Sequence, residues 1–262
     1  MDSLTILDDI LKKYRKVLVA YSGGVDSTFL LARAVKALGK NNVLAVTAVS
    51  ETYPASEMAQ AKKMVKLIGA RHKIIRTSEL ANKNFSANSV RRCFYCKDEL
   101  FKKLSALAKQ NKMALIDATN FSDLGDYRPG RDAAKKWKVH SPLVEAEITK
   151  TMLREFSRKM KLQIWNAPAQ ACLASRFPFG TPITAAELKR VEQAETYLKS
   201  LGLKTVRVRH HGEIARIETA PEEIPILFKP SNPIKISSAL KKLGWKHIAV
   251  ELSGYQTGSL NP

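Results

Sequence analysis

Residues 17–28 read VLVAYSGGVDST, and the reading of this stretch decides the fold. Val17 to Tyr21 is a short, nearly uninterrupted apolar run, as expected for a strand covered on both faces in a parallel sheet. SGGVDS follows, then TFLLARAVKAL, a helical pattern closed by Gly39. A loop between such a strand and such a helix lies at a helix amino terminus, where unpaired N–H groups and a partial positive charge favour an anion. Gly23 and Gly24 remove the side chains that would keep a phosphate from those amides. Ser22 and Ser27 add hydroxyl donors, and Asp26 offers a carboxylate to a Mg2+ whose other ligands are phosphate oxygens. The spacing is neither G-x-x-x-x-G-K-S/T nor G-x-G-x-x-G, which disfavours ordinary P-loop ATPases and dinucleotide enzymes.

Outward from this stretch, the alternation continues. Residues 4–14 put Leu4, Leu7, Leu11 and Tyr14 on one helical face. Strands are predicted at 43–49, 72–77 and 113–119, with helices at 55–68, 96–109, near 131–137 and at 149–161. Strands alternating with helices imply a doubly wound parallel sheet, an α/β fold whose ligands lie beyond the carboxyl ends of the strands. After Trp165 the rhythm changes. A Pro-containing segment leads into a helix from about Ala185, two strand-like stretches meet at His210, His211 and Gly212, and a helix and a last strand complete a smaller C-terminal α+β domain. The expected domains are therefore 1–165 and 166–262. His210 and His211 read as solvent-exposed turn residues, and Trp137, Trp165 and Trp245 as core or interface anchors.

Length and composition fit one large globular domain or two smaller ones: 262 residues, 45% hydrophobic and 26% charged. No apolar run approaches the length of a membrane helix, and the opening MDSLTILDDILKKYRK is amphipathic and unlike a secretory leader, so a cytosolic, non-membrane protein is expected. The formal net charge of +20 creates a field that draws in nucleotides, coenzymes or RNA, although lysine runs on solvated helix faces also serve solubility.

SGGVDS after the first strand resembles the loop of the PP-loop ATP pyrophosphatases, which share an adenine nucleotide α hydrolase-like fold and activate a carboxylate or carbonyl as an adenylate. ATNFSDLGDYRPG at 118–130 is similar to the loop that closes over the nucleotide there, which points to Thr119, Asn120 and Asp123; Arg128 and Arg131 could reach phosphates, although an ordinary polar surface loop would look similar. With ACLASRFPFG at 171–180 and VRVRHHGEIARIE from Val206, the resemblance narrows to the LarE-type sulfur transferases and runs over nearly the whole chain. It implies adenylation, with ATP and Mg2+, of a pyridinium dicarboxylate mononucleotide and its conversion to a thiocarboxylate for a nickel-pincer cofactor of lactate racemase, with Cys172 as the sulfur carrier. It also assigns Glu195 and Glu218 to the site, where solvated surface carboxylates are an equal reading, and implies a homo-oligomer.

A thiolate needs a depressed pKa, and Arg176, four residues from Cys172, could stabilise it if the loop folds back. Arg207 and Arg209, two apart on a strand, project from one face as a fork for carboxylate or phosphate; the plain alternative is an exposed strand face. Cys93 and Cys96 depart from the single-cysteine family pattern. With Cys172 they could hold three irons of a [4Fe-4S] cluster whose open iron takes up sulfide from an external donor. A Zn2+ site, a persulfide relay and two buried thiols are the other readings. A tRNA-thiolating enzyme of the same superfamily and a non-catalytic nucleotide sensor remain as alternative functions; the missing zinc modules and the 7% aromatic content weigh against RNA.

Overall fold

The structure, a computed structural model, describes residues 2–125, 129–167, 171–256 and 259. In chain order the elements are α1 (Ser3–Tyr14), β1 (Val17–Ala20), α2 (Val25–Leu38), β2 (Val43–Val49), α3 (Ala55–Ile68), β3 (Arg71–Arg76), α4 (Lys83–Ser86), α5 (Arg92–Gln110), β4 (Ala114–Ile116), α6 (Gly130–Lys136), α7 (Pro142–Glu145) and α8 (Lys150–Lys159). They continue with α9 (Ala185–Ser200), β5 (Val206–His211), β6 (Ile214–Thr219), α10 (Ile224–Leu227), α11 (Asn232–Lys242) and β7 (His247–Val250).

Two compact units result: Met1–Glu79 with Arg91–Gln170, and Leu80–Val90 with Ala171–Pro262. Residues 80–90, inside the first domain expected from periodicity, lie in the second unit. Asn88 ties them there: its side-chain amide donates to the carbonyls of Phe177 (3.4 Å) and Pro178 (2.7 Å), and its own carbonyl accepts from the Gly180 amide at 3.0 Å.

The first unit carries a fully parallel four-stranded sheet in the order β3-β2-β1-β4. Strand alternation splits its core into two layers. Val17, Val19, Val43 and Ala45 pack with Leu7 and Leu11 of α1, Phe29 and Leu30 of α2 and Leu153 of α8. Leu18, Leu44 and Val46 pack on the opposite face against Phe101 and Leu104 of α5 and Ala133 of α6. Helices therefore cover both faces, as the expected doubly wound sheet requires. Among the described residues no helix is long and apolar enough to cross a membrane.

In the second unit, β5 and β6 form an antiparallel hairpin and β7 joins β6 in parallel. A parallel neighbour requires a crossover connection, and α10 and α11 supply it. The hairpin corrects the reading of the histidine pair. Its loop is the two residues Gly212 and Glu213, with Gly212 at φ +61°, so both histidines belong to β5. His210 is buried and its Nδ1 accepts a hydrogen bond from Trp245 Nε1 at 3.1 Å. Trp245 is the core anchor expected of it, whereas Trp165 is 37% exposed, with the Arg158 guanidinium 5.9 Å from its ring.

Candidate functional site

The phosphate loop begins where β1 ends. Gly23 lies at φ +83°, and a Cβ there would stand 2.7 Å from the Ala61 Cβ and 3.1 Å from its Cα. The backbone conformation and the close approach of α3 both demand glycine. Gly24 caps α2 without a side-chain hydrogen bond. Ser22 and Ser27 share a hydroxyl contact of 3.1 Å, the Gly24 amide donates to Ser22 Oγ at 3.3 Å, and Ser27 Oγ donates to the Gly24 carbonyl at 3.2 Å. Tyr53 donates its phenol to the Ser22 carbonyl at 2.8 Å; burial, then the charge of Glu57, pushes that phenol up and keeps it a donor. Beneath the loop, Tyr21 is hydrogen-bonded with Thr28 at 3.2 Å, and burial pushes its phenol up to about 12.

Asp26, in the first turn of α2, is ion-paired with Lys150, the first residue of α8. The Lys150 amide also donates to Ser122 Oγ at 3.0 Å. Lys150 thus links the phosphate loop to the segment after β4. In that segment, buried Asp117 receives the Thr119 amide (3.2 Å), the Thr119 hydroxyl (2.9 Å) and the Ser141 hydroxyl (2.7 Å). Asp123 accepts from the Asn120 amide at 3.1 Å. Asn120 is 1% exposed, and its Oδ1 has no hydrogen-bond partner among the described residues. A buried acceptor left in this condition at the carboxyl edge of the sheet is suited to a donor brought by a ligand. Arg131 donates to the Leu124 carbonyl at 3.1 Å, and Arg128 lies outside the described residues.

The second unit gathers Arg176, Glu195, Arg207, Arg209 and Glu218 into one buried network. Arg176, expected to serve the Cys172 thiolate, engages Glu195 in two bonds of 2.8 and 3.0 Å. Its remaining nitrogen donates to the carbonyls of Ala171 (2.8 Å) and Cys172 (3.1 Å), so it shapes the loop that carries the sulfur. Glu195 also accepts the Val208 amide of β5 at 3.0 Å. Arg209 donates twice to Glu218 (2.9 and 2.6 Å) and once to the Ser175 carbonyl (2.9 Å). Glu218 further accepts from Arg216 at 3.1 Å. Neither the exposed strand face nor the surface carboxylates survive this placement: all five side chains are buried. Burial, then the Arg176 charge, pulls the Arg207 guanidinium below its usual range; an anion placed beside it would oppose that shift.

Cys172 is exposed and immediately precedes a short 3-10 turn, Leu173–Arg176. Cys93, also exposed, and Cys96 sit one turn apart near the start of α5, which begins four residues earlier than periodicity suggested. Among the described residues no group of three or more His, Cys, Asp or Glu side chains converges as a metal site. Cys93 and Cys96 belong to the first unit and Cys172 to the second.

The family model described as NAD synthase matches residues 3–94, the part of the chain that contains the phosphate loop. A pyridinium-3,5-bisthiocarboxylic acid mononucleotide synthase of Lactiplantibacillus plantarum is 34% identical over 96% of this chain and 91% of its own length. The chain belongs to this synthase family. An uncharacterized protein of Synechocystis is 42% identical over 94% of this chain and 92% of its own, and one of Methanocaldococcus jannaschii is 27% identical over 94% and 92%.

Lys150, Tyr53 and Asp117 were not singled out in the sequence. Each acts on the site from a separate stretch of chain, and only the fold shows which loop it supports.

Proposed function

We propose that this protein is an ATP-dependent sulfur transferase that adenylates a carboxylate of a pyridinium dicarboxylate mononucleotide, releases pyrophosphate and converts the carboxylate to a thiocarboxylate. The reading is carried by the SGGVDS loop: an amide-lined turn that α3 holds against any side chain at Gly23, in a chain of the synthase family. Asp26, Ser22 and Ser27 present the hard oxygen donors that suit Mg2+. Bound there, Mg2+ would supply neutralisation of the pyrophosphate leaving group.

The chain's own groups do the rest. The loop amides and the α2 amino terminus orient the phosphates, and Lys150 carries a positive charge to the same carboxylate that would hold the metal. The buried arginines of β5 receive the anionic groups of the mononucleotide. The Cys172 thiolate attacks the activated carboxyl carbon; a C–S bond forms, and AMP leaves with the electron pair of the broken C–O bond. Loss of the Cys172 Cα proton then forms the Cα=Cβ double bond and breaks Cβ–S, which leaves dehydroalanine in the chain and sulfur on the product. Arg176 fixes the two carbonyls flanking that sulfur and is a positioning residue.

The test is pyrophosphate release on mixing the protein with ATP, Mg2+ and the dicarboxylate mononucleotide. Release by wild type and by Cys172→Ala, with thiocarboxylate formed only by wild type, is the expected outcome. Thiocarboxylate formed by Cys172→Ala excludes this sulfur route.

A further inference from the structure

After β7 the chain turns back across the charged face of its own sheet. Arg207 and Arg209 on β5 share that face with Arg216 and Glu218, their cross-strand partners on β6. Gly254 makes the return possible. It lies at φ +72°, and a Cβ there would stand 2.9 Å from the Thr219 carbonyl oxygen and 3.0 Å from Pro221. The next amide, of Tyr255, donates to that same carbonyl at 2.7 Å, which fastens the segment to the end of β6.

Two side chains of the returning segment then meet the arginine pair. The Tyr255 ring covers the Arg207 guanidinium, whose central carbon is 5.2 Å from the ring centroid. Ser259 accepts from Arg209 at 3.1 Å and donates to Glu218 at 3.2 Å. A guanidinium stacked on an aromatic face keeps its N–H donors in its own plane, the geometry that grips a carboxylate or phosphate, while the ring limits the rotations available to the arginine. Arg207 also donates to the Val206 carbonyl at 2.8 Å, so its plane is held both from its own strand and from the segment above.

We propose that Tyr255 and Ser259 wall the substrate's anion site, Tyr255 as a positioning residue that holds the Arg207 plane and Ser259 as one that holds Arg209 against Glu218. The inference rests on the functional reading above, because that reading places the mononucleotide's phosphate or carboxylate on the β5 arginines. It adds that affinity for the mononucleotide depends on Tyr255 and Ser259 and that affinity for ATP does not.

The experiment is calorimetric titration of the full chain with the pyridinium dicarboxylate mononucleotide in the absence of ATP, and with ATP separately. Tyr255→Leu is expected to weaken mononucleotide binding about tenfold, and Tyr255→Phe, which keeps the ring, to stay within about twofold of wild type. Neither changes ATP affinity. Ser259→Ala removes a single hydroxyl and carries the same test should Tyr255→Leu fail to fold; it is expected to weaken the mononucleotide about threefold. The inference is overturned if Tyr255→Leu binds the mononucleotide as wild type does, if Tyr255→Phe loses as much as Tyr255→Leu, or if wild type binds none. Failure of the functional reading is distinct: wild type then releases no pyrophosphate with ATP and the acid, whatever the titration shows.

Discussion

Asp26 and Lys150 form an ion pair between the first turn of α2 and the first residue of α8, 124 positions apart. The lysine holds the same carboxylate that the proposed Mg2+ would use. Metal and lysine therefore compete for Asp26 in the ligand-free protein. Lys150→Met is expected to raise the affinity for Mn2+ alone by about two- to fivefold, in keeping with a partly exposed pair, and to weaken binding of pyrophosphate. Electron paramagnetic resonance of a Mn2+ titration reads the first effect and calorimetry the second. Changes in the same direction for both ligands would contradict the exchange.

Gly23→Ala combines a left-handed backbone with a Cβ inside the van der Waals limit of Ala61. A loss of about 1–3 kcal/mol in stability is expected from the strain and overpacking. ATP binding should fall further than stability, because relief of the clash displaces the amides that face the phosphates. Urea unfolding with and without ATP separates the two; a variant that keeps its ATP-dependent stabilisation would show that the loop tolerates a side chain.

Much of this was legible along the chain and some was not. SGGVDS is local: strand, glycines and helix are contiguous, and helix cover on both faces of the parallel sheet follows from the nearly uninterrupted apolar run VLVAY. The β5 arginines were legible as a pair because strand periodicity puts residues two apart on one face. Their burial was not, since it comes from distant groups: Glu218 on β6, Ser175 before the hairpin and Ser259 after β7 around Arg209, and the Tyr255 ring over Arg207. His210 shows the same error. Its place beside Gly212 reads as a turn, yet Val206, Val208 and His210 follow a two-residue period on the face opposite the arginines. Lys150 stands in the helix expected at 149–161, and nothing local distinguishes it from the lysines around it.

The pair of Arg176 and Glu195 is buried and doubly bonded, so removal of one partner leaves an uncompensated charge. Glu195→Gln is expected to cost about 3–5 kcal/mol in unfolding experiments. Arg176→Met together with Glu195→Met should recover most of that loss without recovering sulfur transfer, because the carbonyls of Ala171 and Cys172 then lack their donor. A double variant that is both stable and active would remove Arg176 from the positioning role.

Stability should also depend on pH through His210. Burial, partly opposed by Glu187, holds its imidazole below the usual 6.5, with the Arg190 charge acting in the same direction as burial. Nδ1 accepts from Trp245, and Nε2 lies 3.4 Å from Glu187 Oε1, an arrangement that fixes the neutral tautomer with its proton on Nε2. The unfolded chain takes up a proton near pH 6.5, and the folded chain only at lower pH. This contribution is therefore fully present above pH 6.5 and is lost as the pH falls from there toward the folded value. His210→Gln should flatten the decline in melting temperature between about pH 7 and pH 5. An unchanged slope would assign the acid sensitivity to other groups.

The most direct test of sulfur delivery by this chain is the intact mass of the full-length protein before and after turnover with ATP, Mg2+ and the dicarboxylate mononucleotide. The account predicts a loss equal to the mass of one hydrogen sulfide molecule, localised to Cys172, in proportion to the thiocarboxylate formed. Product accumulating beyond one sulfur per chain with the mass of Cys172 unchanged would contradict it.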